Sequence, residues 1–107
     1  MKNKLINISN LFNKHHKKFP PGLAGEEIEG VELVLLDSDT VGIIGRFLGR
    51  KHNLGKLDDK WHLILKQLKE ESELIHGKIP THGIEYFQEV HQLICLTLDY
   101  LEEKSNL

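Results

Sequence analysis

Apolar residues recur along this chain at three- and four-residue intervals. The clearest run is in the middle: Leu57, Trp61, Ile64, Leu65, Leu68 and the pair Leu74-Ile75. That spacing places them on one stripe of an α-helix. Asp58 or Asp59 suits its start, where a carboxylate meets free amides and the positive end of the helix dipole. Gly77 stands where such a helix would stop, with Pro80 close behind. A second stripe, Ile84, Phe87, Val90, Ile94, Leu98 and Leu101, predicts another helix from about His82 to Glu103, capped by Thr81. Within it Leu93-Ile94-Cys95-Leu96-Thr97-Leu98 is apolar almost all round. A surface helix needs only one apolar face, so this one is either central in a bundle or covered by a second copy of the chain.

The segment from Glu26 to Leu48 admits two readings. Val31-Glu32-Leu33-Val34-Leu35-Leu36 is nearly unbroken apolar chain and runs straight into Asp37-Ser38-Asp39-Thr40-Val41. As a strand it would deliver both carboxylates together at its tip. As a helix, at 100° per residue, it puts Glu32, Asp39, Arg46 and Arg50 on one polar stripe interrupted by Ile43. Val31, Val34, Leu35, Ser38, Gly42 and Gly45 then share a side without charge. The small residues Ser38, Gly42, Gly45 and Gly49 would let a neighbouring helix come close, although an interior glycine costs about 1 kcal/mol against alanine. Glu26 and Glu27 suit a first turn, Gly49 suits a stop, and no turn signal separates Leu36 from Val41. One long helix is the preferred reading. It sets Asp37 among Leu33, Ile44 and Leu48, where a carboxylate needs a partner. The candidates are the Trp61 indole, His62, His91 and Tyr100.

Before Glu26 the chain changes character. Lys2, Lys4, Lys14, Lys17 and Lys18 precede the first acid, so a basic arm leads into an acidic body, although the net charge of the whole is only −2. Leu5, Ile6, Ile8, Leu11 and Phe12 are interrupted by asparagines and no small-residue cleavage site follows, so this is not a secretory signal. A short amphipathic helix is the most order expected of it. Phe19-Pro20-Pro21-Gly22-Leu23-Ala24-Gly25 is rich in turn formers and divides a basic arm, residues 1–25, from a folded body, residues 26–107. The acidic body lacks the dense cations that phosphate contacts need, which argues against nucleic acid as its partner.

At 107 residues, 39% hydrophobic and 28% charged, the chain suits one domain with a core of its own and contains no membrane span. Its one cysteine, Cys95, lies in an apolar run where thiols are inert, and no CxxC pattern is present. A reducing cytoplasm is the expected compartment. Seven histidines are many for this length. Asp58 and His62 share a helix face, His76 and His82 flank a turn, and His15-His16 stand in the basic arm. No two histidines sit three or four apart within the expected helices, so no metal and no cofactor is expected.

Asp37-Ser38-Asp39-Thr40-Val41, following its apolar run, resembles the first motif of the haloacid-dehalogenase superfamily of phosphatases, an apolar strand followed by DxDx[TV]. The resemblance implies Asp37 as nucleophile and Asp39 as general acid/base, with magnesium between them. That chemistry requires both carboxylates to leave a strand tip on one loop. The match is confined to Val31–Val41, and no later apolar strand ends in Ser/Thr or in an acidic pair. It is read as a local coincidence. The longer order from Pro20 to Leu101 (PPG, GVELVLLDSDTVG, LDDKWHLILKQLKE, a late YF) is similar to small bacterial proteins without an assigned activity, which implies a fold more than a reaction.

The chain is therefore expected to be all-α: an antiparallel bundle of three long helices with a basic N-terminal arm, which has room for a short fourth. The expected function is a non-catalytic protein-binding module of the immunity, inhibitor or adaptor type. The alternative is a magnesium-dependent phosphatase-like enzyme using Asp37 and Asp39. Binding residues are sought at Asp37, Asp39, Glu32 and Arg46, and at Glu70, Glu71 and Glu73 of the middle helix. The expected partner is another protein, or a second copy of the chain docked through the last helix.

Overall fold

The computed structural model describes residues 2–105, and within them the chain is almost entirely helical. The order is α1 (Lys2–Lys14), β1 (Glu27–Ile28), β2 (Val31–Glu32), α2 (Leu33–Leu48), α3 (Asp59–Leu74), a 3-10 turn (Thr81–Gly83) and α4 (Ile84–Ser105). All-α is right as a class. The expected three long helices become four, because the basic arm contributes α1.

Side-chain contacts give the directions. Phe12 of α1 meets Gly45 of α2, and His15 just beyond α1 meets Asp37 near the start of α2. Arg46 near the end of α2 lies over Trp61 near the start of α3, while Ser72 near the end of α3 bonds His91 early in α4. Lys4 pairs with Glu103 at the other end of α4. Consecutive helices thus run antiparallel. Phe47 against Tyr100, and Asp37 against Tyr86, place α2 and α4 parallel across the diagonal. α4 packs against α1, α2 and α3. Val90, Leu93, Ile94 and Thr97 are all buried there. Much of the apolar surface of α4 is therefore covered within one chain, while Leu96 stays 39% exposed.

α1 forms because Leu5, Ile8 and Phe12 share a face, and that face is buried. Asn3, Asn7, Asn10 and Asn13 lie on its exposed side. The segment after it is tied down too: Leu23 N–H donates to Pro20 O, His82 Nε2–H donates to Pro21 O (2.8 Å), and Leu23 is buried against Gly83.

The helix expected over Glu26–Leu48 is corrected at its start. Residues 27–32 form a two-stranded hairpin in the register Glu27 to Glu32 and Ile28 to Val31. The reason is the two-residue link Glu29-Gly30. Both take positive φ, 53° and 78°, as a primed turn requires. α2 then begins at Leu33 and buries Leu33, Leu36, Thr40, Ile43, Ile44, Phe47 and Leu48. The charge-free side expected to be covered (Val34, Leu35, Ser38, Gly42) faces outward instead. Of the small-residue stripe within the helix, Gly45 lies in ordinary contact with Phe12, and nothing stands within 4 Å of a Cβ at Gly42.

Candidate functional site

The most organised polar group in the molecule is built around His15. α1 ends one residue earlier, and His15 N–H bonds to Leu11 O (3.0 Å), so its side chain continues the inward face of Leu5, Ile8 and Phe12. Asp37 reaches it from the second turn of α2, and Glu89 and Tyr86 from neighbouring turns of α4. His15 Nε2 lies 2.9 Å from Asp37 Oδ1 and Nδ1 lies 3.0 Å from Glu89 Oε1. Tyr86 donates its hydroxyl to Asp37 Oδ2 (2.8 Å), and Lys17 Nζ donates to Glu89 Oε2 (2.8 Å). The imidazole leans on the Tyr86 ring, centroid to centroid 4.4 Å. Side-chain exposure is 3% at His15, 7% at Glu89 and 16% at Asp37.

Two carboxylates on two ring nitrogens define the protonation state. Both nitrogens can donate only in the imidazolium. Burial works against that charge, but the hydrogen bonds and charges of Asp37 and Glu89 outweigh burial and hold His15 above its ordinary 6.5. For Glu89 burial pushes upward. The Lys17 and His15 hydrogen bonds, with their charges, outweigh it and hold the carboxyl below its ordinary 4.5. Burial and the Asp37 carboxylate push the Tyr86 phenol well above its ordinary range. With both nitrogens committed, His15 has none left to take a proton from a substrate. The cluster joins three segments.

Asp37 thus has the partner that the helical wheel demanded, but none of those expected: the partners are His15 and Tyr86. Asp39, two residues and about 200° further round the helix, is exposed. Among the described residues the strands before the two aspartates are the two-residue Glu27–Ile28 and Val31–Glu32, and both aspartates lie inside α2, so the shared strand tip that the phosphatase resemblance requires is not formed. Asp39 lies near Glu71 of α3. Burial, then the charge of Asp39, push the Glu71 carboxyl up. Glu70 and Glu73 are exposed on α3, and Glu32 stands opposite Glu27 in the hairpin. Arg46 does not join these acids; its guanidinium carbon lies 4.6 Å from the Trp61 ring centre.

Two concavities lie elsewhere. A cleft of about 760 Å³ at the start of α3 is lined by Arg46, Lys56, Lys104, Asp58 and Asp59 around Trp61. His62 Nε2 is buried beside it without a hydrogen-bond partner among the described residues. A second, of about 500 Å³, has an apolar floor of Leu36, Ile75 and Phe87 beneath Ser72 and His91. There Ser72 Oγ donates to Lys69 O (2.9 Å) and accepts from His91 Nδ1–H (2.7 Å). His91 Nε2 is left as the acceptor facing Cys95 Sγ at 3.4 Å. Burial pushes the Cys95 thiol up, the opposite of an activated nucleophile. Among the described residues no three His, Cys, Asp or Glu side chains are placed to hold a metal ion, and no helix is long and apolar enough to cross a membrane.

Sequence reasoning missed His15, Tyr86, Glu89 and Lys17. The one signal available was that His15 falls three residues beyond Phe12 on the apolar face of α1. The chain matches no family model, no curated protein and no solved structure.

Proposed function

We propose that this chain is a non-catalytic helical module, of the immunity, inhibitor or adaptor type, that binds a basic protein partner on the acidic face of α2 and α3. The observation that carries the reading is the set of acids left on α2 and α3, Asp39, Glu70 and Glu73 exposed and Glu71 half-buried, where burial and then the charge of Asp39 push the Glu71 carboxyl up. Among the described residues, Glu32, Asp39, Glu70, Glu71 and Glu73 take part in no ion pair. Leu35 precedes Asp39 by one helical turn and is 50% exposed; Leu74 follows Glu71 by almost one turn and is 48% exposed. The face therefore offers two apolar contacts beside unneutralised acids. Unpaired like charges disfavour the free protein, and a partner's lysine or arginine would relieve them.

The test compares the immobilised wild-type chain with one reversed to lysine at Glu32, Asp39, Glu70, Glu71 and Glu73. The wild type is expected to retain a protein that elutes as salt rises, because exposed charges are screened. The reversed chain, with an unchanged circular dichroism spectrum, is expected to lose it. Equal retention by both chains overturns the reading.

A further inference from the structure

We propose that α1 is docked by a proton-dependent latch: a protonated His15 bridges α2 and α4, and loss of that proton releases residues 2–17 from an otherwise folded body of α2, α3 and α4.

The latch follows from counting donors. The imidazolium supplies one N–H to Asp37 on α2 and one to Glu89 on α4. Neutral imidazole has one N–H and one lone pair. Either carboxylate would then face a lone pair at hydrogen-bond distance, in a site where His15 is only 3% exposed. Leaving a buried acceptor without a donor is costly, and the direct relief is for His15 to move out. When it does, Tyr86 still donates to Asp37, while Glu89, whose partners His15, Lys14 and Lys17 all leave with the arm, is opened to water by their departure.

Every charged or titratable group facing His15 fits this sense of operation. α2 contributes Asp37. α4 contributes Tyr86 and Glu89, with Glu85 acting on Lys17. From the arm itself come Lys17 at 2.8 Å and Lys14 at 4.0 Å from Glu89. Two acids hold the imidazolium, and among the described residues no other cation is paired with Asp37 in competition with it.

What else holds α1 is chiefly apolar. Among the described residues its remaining polar ties are the exposed Lys4–Glu103 pair and the Ser9–His52 hydrogen bond. It buries Leu5, Ile8 and Phe12, packs Leu11 against the same core, and sets the Phe12 ring edge-on to His52. At 13 residues with four asparagines, it is at the limit of about 12–15 residues below which isolated helices are marginal in water. Once undocked it has little reason to stay helical. α2, α3 and α4 also contact one another directly.

The direction of the pH response is fixed. His15 is held above 6.5 in the folded chain, so its contribution to docking is fully present below 6.5 and is lost as pH rises through the raised value. Glu89 is held below 4.5, so its contribution is intact across the same interval and is lost only in acid. The latch is closed in mild acid and opens on the alkaline side.

The test is amide hydrogen exchange on the full chain, corrected for base catalysis, alongside an NMR titration of the His15 ring. One linked proton predicts that protection of Leu5 to Phe12 falls about tenfold per pH unit between 6.5 and the docked His15 midpoint, then levels off. Leu65 and Leu68 of α3 are expected to stay protected and Trp61 fluorescence to stay constant. In His15→Gln, which has no proton to lose, the slope is expected to vanish. In Glu89→Gln the midpoint is expected to move down. Should His15→Gln fail to fold, the wild-type slope and the Glu89→Gln shift decide. The proposal is overturned by α1 protection independent of pH, by the same slope in His15→Gln, or by α3 losing protection together with α1.

Discussion

Replacing Asp37 with alanine removes one of the two acceptors that hold the His15 imidazolium and strands the Tyr86 hydroxyl. Breaking a buried charge pair typically costs more than its net worth, because the surviving partner is left uncompensated. Asp37 keeps 16% exposure, so the loss should fall at about 2–3 kcal/mol, near the lower end of that class. Asp39→Ala should behave oppositely: stability unchanged or raised by a few tenths of about 1 kcal/mol, since it removes a like charge from Glu71. Urea unfolding of both variants is the check, and equal losses at the two positions would contradict the assignment. The sequence made Asp37 legible as a carboxylate on an apolar helix face. Its partners were not legible, because they stand 22 and 49 residues away in sequence. His15 was concealed further by its place in a run of lysines and asparagines, which reads as solvated chain. A histidine one turn past three buried apolar residues is a weak signal, and only the packing of α1 gives it meaning.

Glycines show what the elements tolerate. Gly42 lies inside α2 with nothing within 4 Å of a Cβ, so alanine there gains helix propensity and limits the unfolded chain at no steric cost. Gly42→Ala is expected to raise stability by about 0.5–1 kcal/mol. Gly55 has φ +64°, and a Cβ there would lie 2.8 Å from the Tyr100 hydroxyl and 3.2 Å from Cζ of its ring. Gly55→Ala combines backbone strain with a rigid overlap, and a loss of about 2 kcal/mol is expected. Thermal midpoints moving in the same direction for the two variants would show that the loop between α2 and α3 is not held under Tyr100. The same distinction explains which elements could be read in advance. The α3 stripe was clear because Leu65 and Leu68, with Ile75 just past the helix end, are buried, although Leu74 is exposed and Ser72 takes a buried place. The start of α2 was not, because a hairpin with two-residue strands has no alternation to detect. Its turn is signalled by Gly30 alone, and the Glu32 side chain makes no cap at the start of the helix.

Across the whole molecule, the all-round apolar run of α4 had two explanations, a central helix or a docked copy of the chain, and they predict different mutants. In the bundle described above, Leu93 and Ile94 are fully buried while Leu96 is 39% exposed. Truncating the fully buried Ile94 leaves a cavity in the core, and Ile94→Ala should cost about 2–5 kcal/mol. Leu96→Ala removes partly solvated surface and should cost less than about 1 kcal/mol. If α4 were instead the seam of a dimer, Leu96 would lie in it, and the thermal midpoint would rise with protein concentration because association stabilises only the folded chain. A concentration-independent midpoint, with the loss concentrated at Ile94, is the expected result. A midpoint that climbs with concentration in the wild type but not in Leu96→Ala would move the apolar surface of α4 from the core to an interface. Periodicity could not decide between these, since it records that a helix is apolar on every side and not what covers each side. The missing cover was α1, the segment whose composition least resembles a core helix.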